Sequence, residues 1–399
     1  MHIVHITEFF SPRSETFIYN YVQGLQKLGH RSQVICMNRI NDDERPHDDC
    51  VEIDHMSRLN PSRIYSGLKR RLGLLEKQEQ LFGVARKQLF RILQSSKPDV
   101  IHAHFGPMGV MVAPVAQKLN IPLVVTFMGY DGSRALRSER WRKNYQQLNT
   151  TVSALIGISN DMCNRLTSVG FDSDKIHRIS LGVNIDEFLL RDPTTDFDGK
   201  EVRCIHVGRL TAKKSPLKLL EAFNIAYQAL SPDINLKLTI AGDGELQDAV
   251  EDKVKELKLE SQVDILGSVS HKDVIKLFRE THIYTQYCET SHNGDVEGQG
   301  VTFVEASASG LPIVSTLHGG IPDVVLNGQT GYLVAEGDTK GMADRIIQLA
   351  RHPEQWTAFG NCGRKHIEKT FTLDAQLEYT IALYHQVLSK LPSANHTNL

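Results

Sequence analysis

The sequence predicts an α/β fold in which two doubly wound domains face each other across a cleft. The chain has 399 residues, which exceeds what a single hydrophobic core usually supports. Hydrophobic residues make up 41% of the chain and charged residues 23%, a composition typical of folded proteins. Short apolar runs alternate with longer amphipathic segments along nearly the whole chain. That alternation is typical of parallel sheets covered by helices on both faces.

The short apolar runs predict the strands of each domain in order. The first domain has HIVHI, SQVICM, DVIHAHF, LVVTF and ALIGIS. The second domain has VRCIHVGR, LKLTIAG, VDILG, IYTQY and PIVST. Ligands of open parallel sheets bind beyond the carboxyl ends of the strands, so we expect the functional residues just after these runs.

A polar segment separates the two sets of strands. RDPTTDFDGK combines a proline with several charged side chains in a helix-poor stretch. The segment Asp374 to Lys390 has helical periodicity and precedes a polar tail. We therefore expect an N-terminal domain at 1–190, a linker at 191–200, a C-terminal domain at 201–373 and a helix at 374–392 that packs back towards the N-terminal domain.

Cysteine usage and hydropathy limit the class of protein. The six cysteines are scattered without a C-x-x-C pair, which argues against a disulfide framework and a zinc knuckle. The first strand begins almost at Met1, and no apolar run approaches 18 residues. We therefore expect reduced thiols, no signal peptide, no membrane span and a cytoplasmic location.

Charge is distributed unevenly along the chain. Residues 1–190 hold 24 Lys and Arg against 19 Asp and Glu, and the remainder holds 21 against 28. Most of the basic excess lies in residues 55–145. These side chains form either a solvated helix face or a peripheral contact with anionic membrane, and the sequence leaves both interpretations open. We expect no nucleic-acid partner.

The segment EGQGVTFVEASASGLPIVST carries two glutamates, Glu297 and Glu305, eight residues apart before a strand. Gly298 and Gly300 lie ahead of the helix that this segment predicts. Glycines allow close backbone approach, and free N–H groups in the first helical turn favour an anion such as phosphate. Glutamates about two turns apart can reach different parts of one ligand. One carboxylate would meet sugar hydroxyls and the other ribose hydroxyls.

Two further segments follow predicted strands. In VGRLTAKKSP, Arg209 and Lys214 lie between a strand and a helix, where two cations suit a pyrophosphate. They would neutralise the charge on a leaving nucleoside diphosphate, a role that a divalent metal has in other transferases. In IAGDGEL, Gly242 and Gly244 follow a strand, but Gln247 interrupts a G-x-G-x-x-G pattern, which disfavours a dinucleotide site.

Taken together and in order, these segments resemble glycosyltransferase family 4, retaining enzymes with the GT-B fold of two Rossmann-like domains. The resemblance also includes LGSV, GGIPDVVLNGQTGYLV, HAHFG, the GYD of TFMGYD and LGVNIDEF. It implies a nucleotide-sugar donor, either a UDP-sugar or a GDP-sugar, with no cofactor and no metal.

The resemblance implies a role for each donor-site residue. Arg209 and Lys214 would hold the pyrophosphate, and Glu297 would lie by the donor sugar, so these three are the predicted catalytic residues. Glu305 would bind the ribose. Backbone around the base and the phosphates would complete the donor site, at Gly242, Gly267, Val269, Gly298, Gly300, Val301 and Thr302.

The N-terminal segment SPRSETFIYNYVQGLQKLGH resembles a subgroup that makes bacterial exopolysaccharides of the colanic-acid type. This implies a saccharide or lipid-linked saccharide acceptor. Many members have a Gly-Gly pair where this chain has Arg13 to Thr16, and a histidine where it has Met128. Methionine relays no proton, so we expect no such role there. The predicted acceptor-side residues are Ser14, Glu15, Thr16, His104, Met128 and Asp131.

Other patterns favour structural roles. His102 and His104 share one face of a predicted strand, but no third ligand is spaced to join them, so we expect no metal. The D-x-D strings at 172–174 and 196–198 lie in turn-like polar stretches, where Asp is common for local reasons.

Three alternatives to sugar transfer remain at this point. They are a nucleotide-sugar epimerase of the same architecture, an oxidoreductase, and a catalytically weak binding partner in a polysaccharide assembly complex. The second is disfavoured by the missing glycine pattern. Donor incubated alone distinguishes the first, because an epimerase needs no acceptor.

Overall fold

The computed structural model of the chain describes residues 1–12, 16–53 and 77–390. The described residues form two compact units. Unit 1 takes its residues from Met1–Gly157, Cys163–Ile179 and 377–390, and unit 2 consists of Ile158–Met162 and Ser180–Gln376. The predicted sites Ser14 and Glu15, and the basic run at 69–71, lie outside the described residues.

Unit 1 is built on a seven-stranded parallel sheet. Its strands are β1 (His2–Phe10), β2 (Arg31–Arg39), β3 (Cys50–Glu52), β4 (Val100–His104), β5 (Leu123–Phe127), β6 (Ala154–Gly157) and β7 (Ile176–Arg178). Their order is β3-β2-β1-β4-β5-β6-β7, which changes direction between β1 and β4. Its helices are α1 (Thr16–Lys27), α2 (Lys77–Ser96), α3 (Gly106–Leu119), α4 (Glu139–Thr151) and most of α5 (Asn160–Ser168).

Unit 2 is built on a six-stranded parallel sheet. Its strands are β8 (Glu201–Val207), β9 (Asn235–Ala241), β10 (Val263–Gly267), β11 (Ile283–Thr285), β12 (Ile313–Thr316) and β13 (Gly331–Val334). Their order is β10-β9-β8-β11-β12-β13, with the change of direction between β8 and β11. Its helices are α6 (Pro216–Leu230), α7 (Gln247–Glu256), α8 (His271–Arg279), α9 (Val301–Ala308), α10 (Ile321–Val324), α11 (Thr339–Arg351) and α12 (Glu354–Thr370). The last helix among the described residues, α13 (Leu373–Ser389), begins in unit 2 and continues in unit 1.

The central strands are buried on both faces, which explains why they appear in the sequence as continuous apolar runs. Every residue of β4, β5, β6 and β12 is buried. A strand covered by helices on both sides favours this pattern over strict alternation. The prediction of two doubly wound parallel α/β domains is confirmed. The three strands without a predicted counterpart, β3, β7 and β13, have only three or four residues each.

The change from unit 1 to unit 2 comes at Ser180, before the predicted linker at 191–200. Backbone bonds explain this position. The N–H of Leu181 donates to Gln299 and that of Gly182 donates to Gln376, both at 2.8 Å. The segment at 191–200 is itself anchored to unit 2, since Arg191 donates to the carbonyls of Thr281 at 3.1 Å and Ser309 at 3.3 Å. Residues 180–190 therefore belong to unit 2.

Candidate active site

The predicted donor-site residues lie along the carboxyl edge of the unit 2 sheet. Arg209 follows β8, Gly242 follows β9 and Gly267 ends β10. Hydrogen bonds join these strand ends, because Gly208 N–H donates to the Ala241 carbonyl at 3.0 Å and Gly242 N–H donates to the Gly267 carbonyl at 2.8 Å. A Cβ on Gly242, whose φ is +150°, would collide with the Gly208 carbonyl oxygen. Glycine is therefore required where these strand ends meet.

A buried ion pair joins the β8 end to the loop before α9. Lys214 Nζ lies 2.8 Å from Glu297 Oε2, and the two side chains are 11% and 13% exposed. Burial alone would raise the pKa of Glu297, but Lys214 and Lys213 outweigh it and lower that pKa to about 2. Glu297 in turn raises the pKa of Lys214 against the effect of burial. Both groups are therefore charged at neutral pH.

Gln286, just beyond β11, is a second partner of Lys214. With its amide oriented to satisfy its neighbours, the side-chain nitrogen donates to the Val207 carbonyl at 3.0 Å. The amide oxygen then accepts from Lys214 Nζ at 2.8 Å. The ammonium group is thus fixed from two sides at the change of direction of the sheet. The sequence did not single out Gln286, although its place at a strand end was a usable signal.

Arg209 differs from Lys214 in its surroundings. Its side chain is exposed, and among the described residues it makes no ion pair. Its charge nevertheless opposes the rise in the pKa of Lys214, which indicates that the two cations lie near each other. An exposed guanidinium beside a buried ammonium leaves positive charge available to an anion at this edge.

Helix α9 begins next to this ion pair. Gly300 is its N-cap with φ +78°, and no side chain caps the first turn. The N–H groups of Val301 and Thr302 are in that turn, where backbone donors favour an anion. The Thr302 hydroxyl accepts from the Tyr284 hydroxyl at 2.8 Å. Gly298 and Gly300 are both buried.

Glu305 lies on α9 with 8% of its surface exposed. Burial raises the pKa of Glu305 to about 7, which nearby His271 opposes and Glu187 reinforces. His271 Nδ1 lies 3.9 Å from Glu305, and its Nε2 lies 2.9 Å from Glu187. Val269 is half-buried, just ahead of α8. Glu297 and Glu305 thus have opposite environments, one beside a cation and the other mainly desolvated.

Three histidines meet in the core of unit 1. The parallel register pairs His5 of β1 with His102 of β4, and His104 follows on the same face. The expectation that no third side chain joins His102 and His104 was wrong, because the neighbouring strand supplies His5. Among the described residues these three are the one group of His, Cys, Asp and Glu close enough to hold a metal.

The hydrogen bonds of these histidines favour a packed core cluster. His102 meets the hydroxyls of Tyr384 and Thr126, at 2.5 and 2.6 Å. His5 Nδ1 faces His104 Nε2 at 3.2 Å. Four of the six ring nitrogens therefore meet hydroxyls or one another, whereas His5 Nε2 and His104 Nδ1 are buried without a hydrogen-bond partner within the described part of the chain. Burial lowers the pKa of His104 to about 3, so this predicted acceptor-side residue is buried and neutral.

The other described acceptor-side residues follow β5 or begin α1. Asp131 is fully buried, and its carboxylate accepts the N–H groups of Gly106, Met128 and Gly129 at 2.8 to 3.1 Å. Asp131 thus ties the loop after β5 to the first turn of α3. Met128 is half-buried in that loop, and Thr16 is the half-buried first residue of α1.

The two D-x-D strings make local contacts. Asp172 pairs with Lys175 at 3.3 Å. Asp198 accepts from the N–H groups of Lys200 and Glu201, both at 2.8 Å. These are turn contacts of the kind expected for Asp in polar loops.

Comparison with known protein families identifies the chain. Residues 14–187 match the sequence model described as Glycosyltransferase Family 4, and residues 191–366 match that described as Glycosyl transferases group 1. The chain belongs to glycosyltransferase family 4. It is therefore a glycosyltransferase, and the two matched regions together span most of the chain.

The chain is similar to several enzymes of bacterial polysaccharide synthesis. It is 26% identical over 366 residues to the putative colanic acid biosynthesis glycosyltransferase WcaL of Salmonella typhimurium, covering 86% of this chain and 89% of WcaL. It is 29% identical over 255 residues to the amylovoran biosynthesis glycosyltransferase AmsK of Erwinia amylovora, covering 63% of this chain and 61% of AmsK.

Solved structures share the fold of this glycosyltransferase. HepE of Anabaena, crystallised in complex with UDP and glucose, superposes with a TM-score of 0.76 at 17% identity, covering 97% of this chain and all of HepE. The lipopolysaccharide outer core galactosyltransferase WaaB superposes with a TM-score of 0.72 at 16% identity, covering 97% and 100% of the two chains. Among the helices that the structure describes, none combines the length and apolar character needed to cross a membrane.

Proposed function

We propose that this glycosyltransferase moves a sugar from a UDP- or GDP-sugar to a saccharide or lipid-linked saccharide in bacterial surface polysaccharide synthesis. The observation that carries the proposal is the buried Lys214–Glu297 pair beside the uncapped start of α9. A cation suited to a diphosphate and a carboxylate suited to sugar hydroxyls lie together at one edge of a parallel sheet, which supports the proposal. Structures of HepE with UDP and with UDP-glucose support a nucleotide-sugar donor. The names of WcaL and AmsK support the polysaccharide context.

The proposed reaction proceeds with retention by front-face attack. The bond between the anomeric carbon and the diphosphate oxygen breaks, and a bond to the acceptor hydroxyl oxygen forms on the same face. The acceptor proton passes to the departing phosphate oxygen. Double displacement would need a carboxylate on the opposite face of the sugar, and no residue of the chain is assigned to that position. Glu297 orients the sugar in this scheme.

Stabilisation of the leaving diphosphate is assigned to the chain itself. Lys214, Arg209 and the first turn of α9 would neutralise the charge that grows on the phosphates. This supports a reaction without a divalent metal. Turnover in excess EDTA should equal turnover in added Mg²⁺, and a loss of activity in EDTA that Mg²⁺ restores would contradict that part of the proposal.

Membrane contact is proposed through the basic segment at 55–145. Within its described part, Arg134 begins and Arg137 ends a short 3-10 helix, and Lys143 on α4 is exposed. Clustered Lys and Arg side chains attract anionic lipid headgroups. Co-sedimentation should be stronger with vesicles containing phosphatidylserine than with neutral phosphatidylcholine vesicles, and equal sedimentation would refute the contact.

The donor and the catalytic role of Glu297 are tested together. Thermal shifts with UDP-glucose, UDP-galactose and GDP-mannose identify the nucleotide, because a ligand of the folded state raises the melting temperature. Release of nucleoside diphosphate then measures turnover, and NMR of the product reports the anomeric configuration. Glu297→Gln should lower turnover by about 100-fold while UDP or GDP binding is not weakened. Unchanged turnover would remove Glu297 from the mechanism.

A further inference from the structure

The segment after β12 encloses the backbone of Glu297. His318 Nε2 accepts the N–H of Glu297 at 3.0 Å, and Gly320 N–H donates to the Glu297 carbonyl at 3.1 Å. Gly319 has φ +50°, and a Cβ there would collide with the Glu297 carbonyl oxygen. A Cβ on Gly320 would likewise collide with the carbonyl oxygen of Gly298. Both polar backbone groups of Glu297 are thus bound, by His318 and by Gly320, and the chain at Gly319 and Gly320 approaches too closely for larger side chains.

Glu336 determines which nitrogen of His318 carries the proton. Its Oε1 lies 2.6 Å from His318 Nδ1, and the imidazole side chain is only 1% exposed. A carboxylate only accepts hydrogen bonds, so Nδ1 carries the hydrogen and Nε2 keeps a lone pair for the Glu297 N–H. The second carboxylate oxygen accepts from Thr290 N–H at 2.9 Å. Burial would raise the pKa of Glu336, but the hydrogen bonds from His318 and Thr290 lower it, so it remains a carboxylate at neutral pH.

The loop that carries Glu297 depends on such bonds. Residues 286–300 join β11 to α9 without forming a helix or strand. A segment without ladder hydrogen bonds is held in place by side-chain contacts and tight turns. The His318 contact comes from the loop after β12, and Glu336 comes from the loop after β13. Two neighbouring strand ends therefore fix the position of the glutamate beside Lys214.

We propose that His318 and Glu336 are positioning residues for the transfer reaction, acting through a carboxylate–imidazole–backbone chain that fixes Glu297. The proposal rests on the proposed function, in which Glu297 orients the donor sugar. If the imidazole carried its hydrogen on Nε2, that N–H would face the N–H of Glu297 and the contact would be lost. The loop would then relax, and the carboxylate would leave the position that the donor sugar requires.

The test compares two substitutions of His318. His318→Ala removes the acceptor, and His318→Gln places an amide oxygen within reach of the Glu297 N–H. Turnover is measured as nucleoside diphosphate release from the donor chosen among UDP-glucose, UDP-galactose and GDP-mannose. His318→Ala should lower kcat by about 10- to 100-fold with the donor KM within about threefold of wild type, since small displacements of a reacting group are costly. His318→Gln should recover most of this loss.

A double-mutant comparison separates positioning from a general structural role. In the Glu297→Gln background, measured by single turnover with enzyme in excess, His318→Ala should lower the rate by less than about twofold. His352→Ala is the matched control, because His352 pairs with Glu354 at 2.9 Å on the exposed surface of unit 2. Its turnover should equal that of wild type. Glu336→Ala provides a second variant if His318→Ala melts early, and it should show the same loss of kcat at unchanged melting temperature.

The outcomes distinguish this proposal from the proposed function. If Glu297→Gln impairs turnover while His318→Ala and Glu336→Ala do not, the positioning proposal is overturned and the role of Glu297 stands. If His318→Ala is equally harmful with and without the Glu297 carboxylate, His318 acts by another route and the proposal also fails. If Glu297→Gln retains full turnover, the role of Glu297 and this proposal both fall.

Discussion

Replacing Lys214 with methionine would leave Glu297 as a buried carboxylate without its main partner. The two side chains are 11% and 13% exposed, so solvent compensates little for the lost charge. Removing one partner of a buried pair is strongly destabilising, by about 3 to 5 kcal/mol. Lys213 also lowers the pKa of Glu297 and remains in the variant. Because Lys213 still compensates part of the charge, we expect Lys214→Met to lose an amount at the lower end of this range, about 3 kcal/mol of unfolding free energy in unit 2.

The pKa of Glu297 supports this magnitude and gives its pH dependence. The ordinary value of 4.5 is lowered to about 2 in the folded protein. A lowered pKa contributes stability above the unfolded value, and this contribution is lost as pH falls from 4.5 towards 2. The difference between these two pKa values corresponds to about 3 kcal/mol of unfolding free energy. The stability difference between wild type and Lys214→Met should therefore be large at pH 7 and should shrink below about pH 4.5.

Tryptophan fluorescence allows unit 2 to be observed separately. The chain has two tryptophans, and Trp356 is fully buried in unit 2. In a Trp141→Phe background, urea unfolding followed by Trp356 reports on that unit. The matched control is Arg209→Met, which removes an exposed cation nearby and should leave the unfolding free energy within about 0.5 kcal/mol of wild type.

The double variant Lys214→Met/Glu297→Gln decides whether an uncompensated charge causes the loss. A neutral amide in place of the carboxylate should restore part of the unfolding free energy at pH 7. If the double variant is no more stable than Lys214→Met, the loss comes from altered packing. The assignment of the pair as mutually compensating would then be refuted.

Three further predictions concern individual residues. If ionised Glu305 binds the ribose, UDP affinity should rise about tenfold from pH 6 to pH 8, because the pKa of Glu305 is raised to about 7. Calorimetry should show this pH dependence of UDP affinity in wild type and not in Glu305→Gln. If the variant keeps the pH dependence, Glu305 does not bind the ribose. The raised pKa also predicts that Glu305 lowers stability as pH rises from 4.5 through 7, an effect that Glu305→Gln removes. Arg209→Met should weaken UDP binding by roughly 10- to 100-fold, because a charge-assisted hydrogen bond is lost. If the variant binds UDP as tightly as wild type, Arg209 does not contact the diphosphate. Asp131→Ala should leave three N–H groups without an acceptor and lower the free energy of unfolding by about 3 kcal/mol or more. Hydrogen exchange in residues 100–145 should then be faster, while UDP affinity should not change.

The central strands of both sheets could be predicted because burial on both faces leaves a continuous apolar run. LVVTF and PIVST are examples in which pattern and structure agree. The strands β3 and β7 have three residues each, too few to carry a period or a run. The main change to unit 2 at Ser180 was also unpredictable, because it depends on hydrogen bonds that Leu181 and Gly182 donate to Gln299 and Gln376, which lie far along the chain.

The candidate site could be predicted for those residues that directly follow the end of a strand. Lys214 and Glu297 follow different strands, and the shared carboxyl edge brings them together, although spacing alone did not predict their ion pair. Gln286 and His318 were missed because sequence spacing does not reveal where a side chain at a strand end points. His5 was missed for a related reason, since its place beside His102 depends on the register between β1 and β4.

In the proposed function, the Lys214–Glu297 pair would connect donor binding with the position of the carboxylate that orients the sugar. The ammonium group of Lys214 is shared between Glu297 and Gln286. A diphosphate at the start of α9 would compete with Glu297 for that ammonium, because both are anionic and Lys214 is a point charge with three donors. As Lys214 turned towards the phosphates, the carboxylate would become available to the sugar hydroxyls. The hydrogen bonds that Glu297 donates to His318 and accepts from Gly320 would meanwhile hold its backbone in place. Binding of the leaving group and orientation of the sugar are thus expected to depend on each other through one lysine.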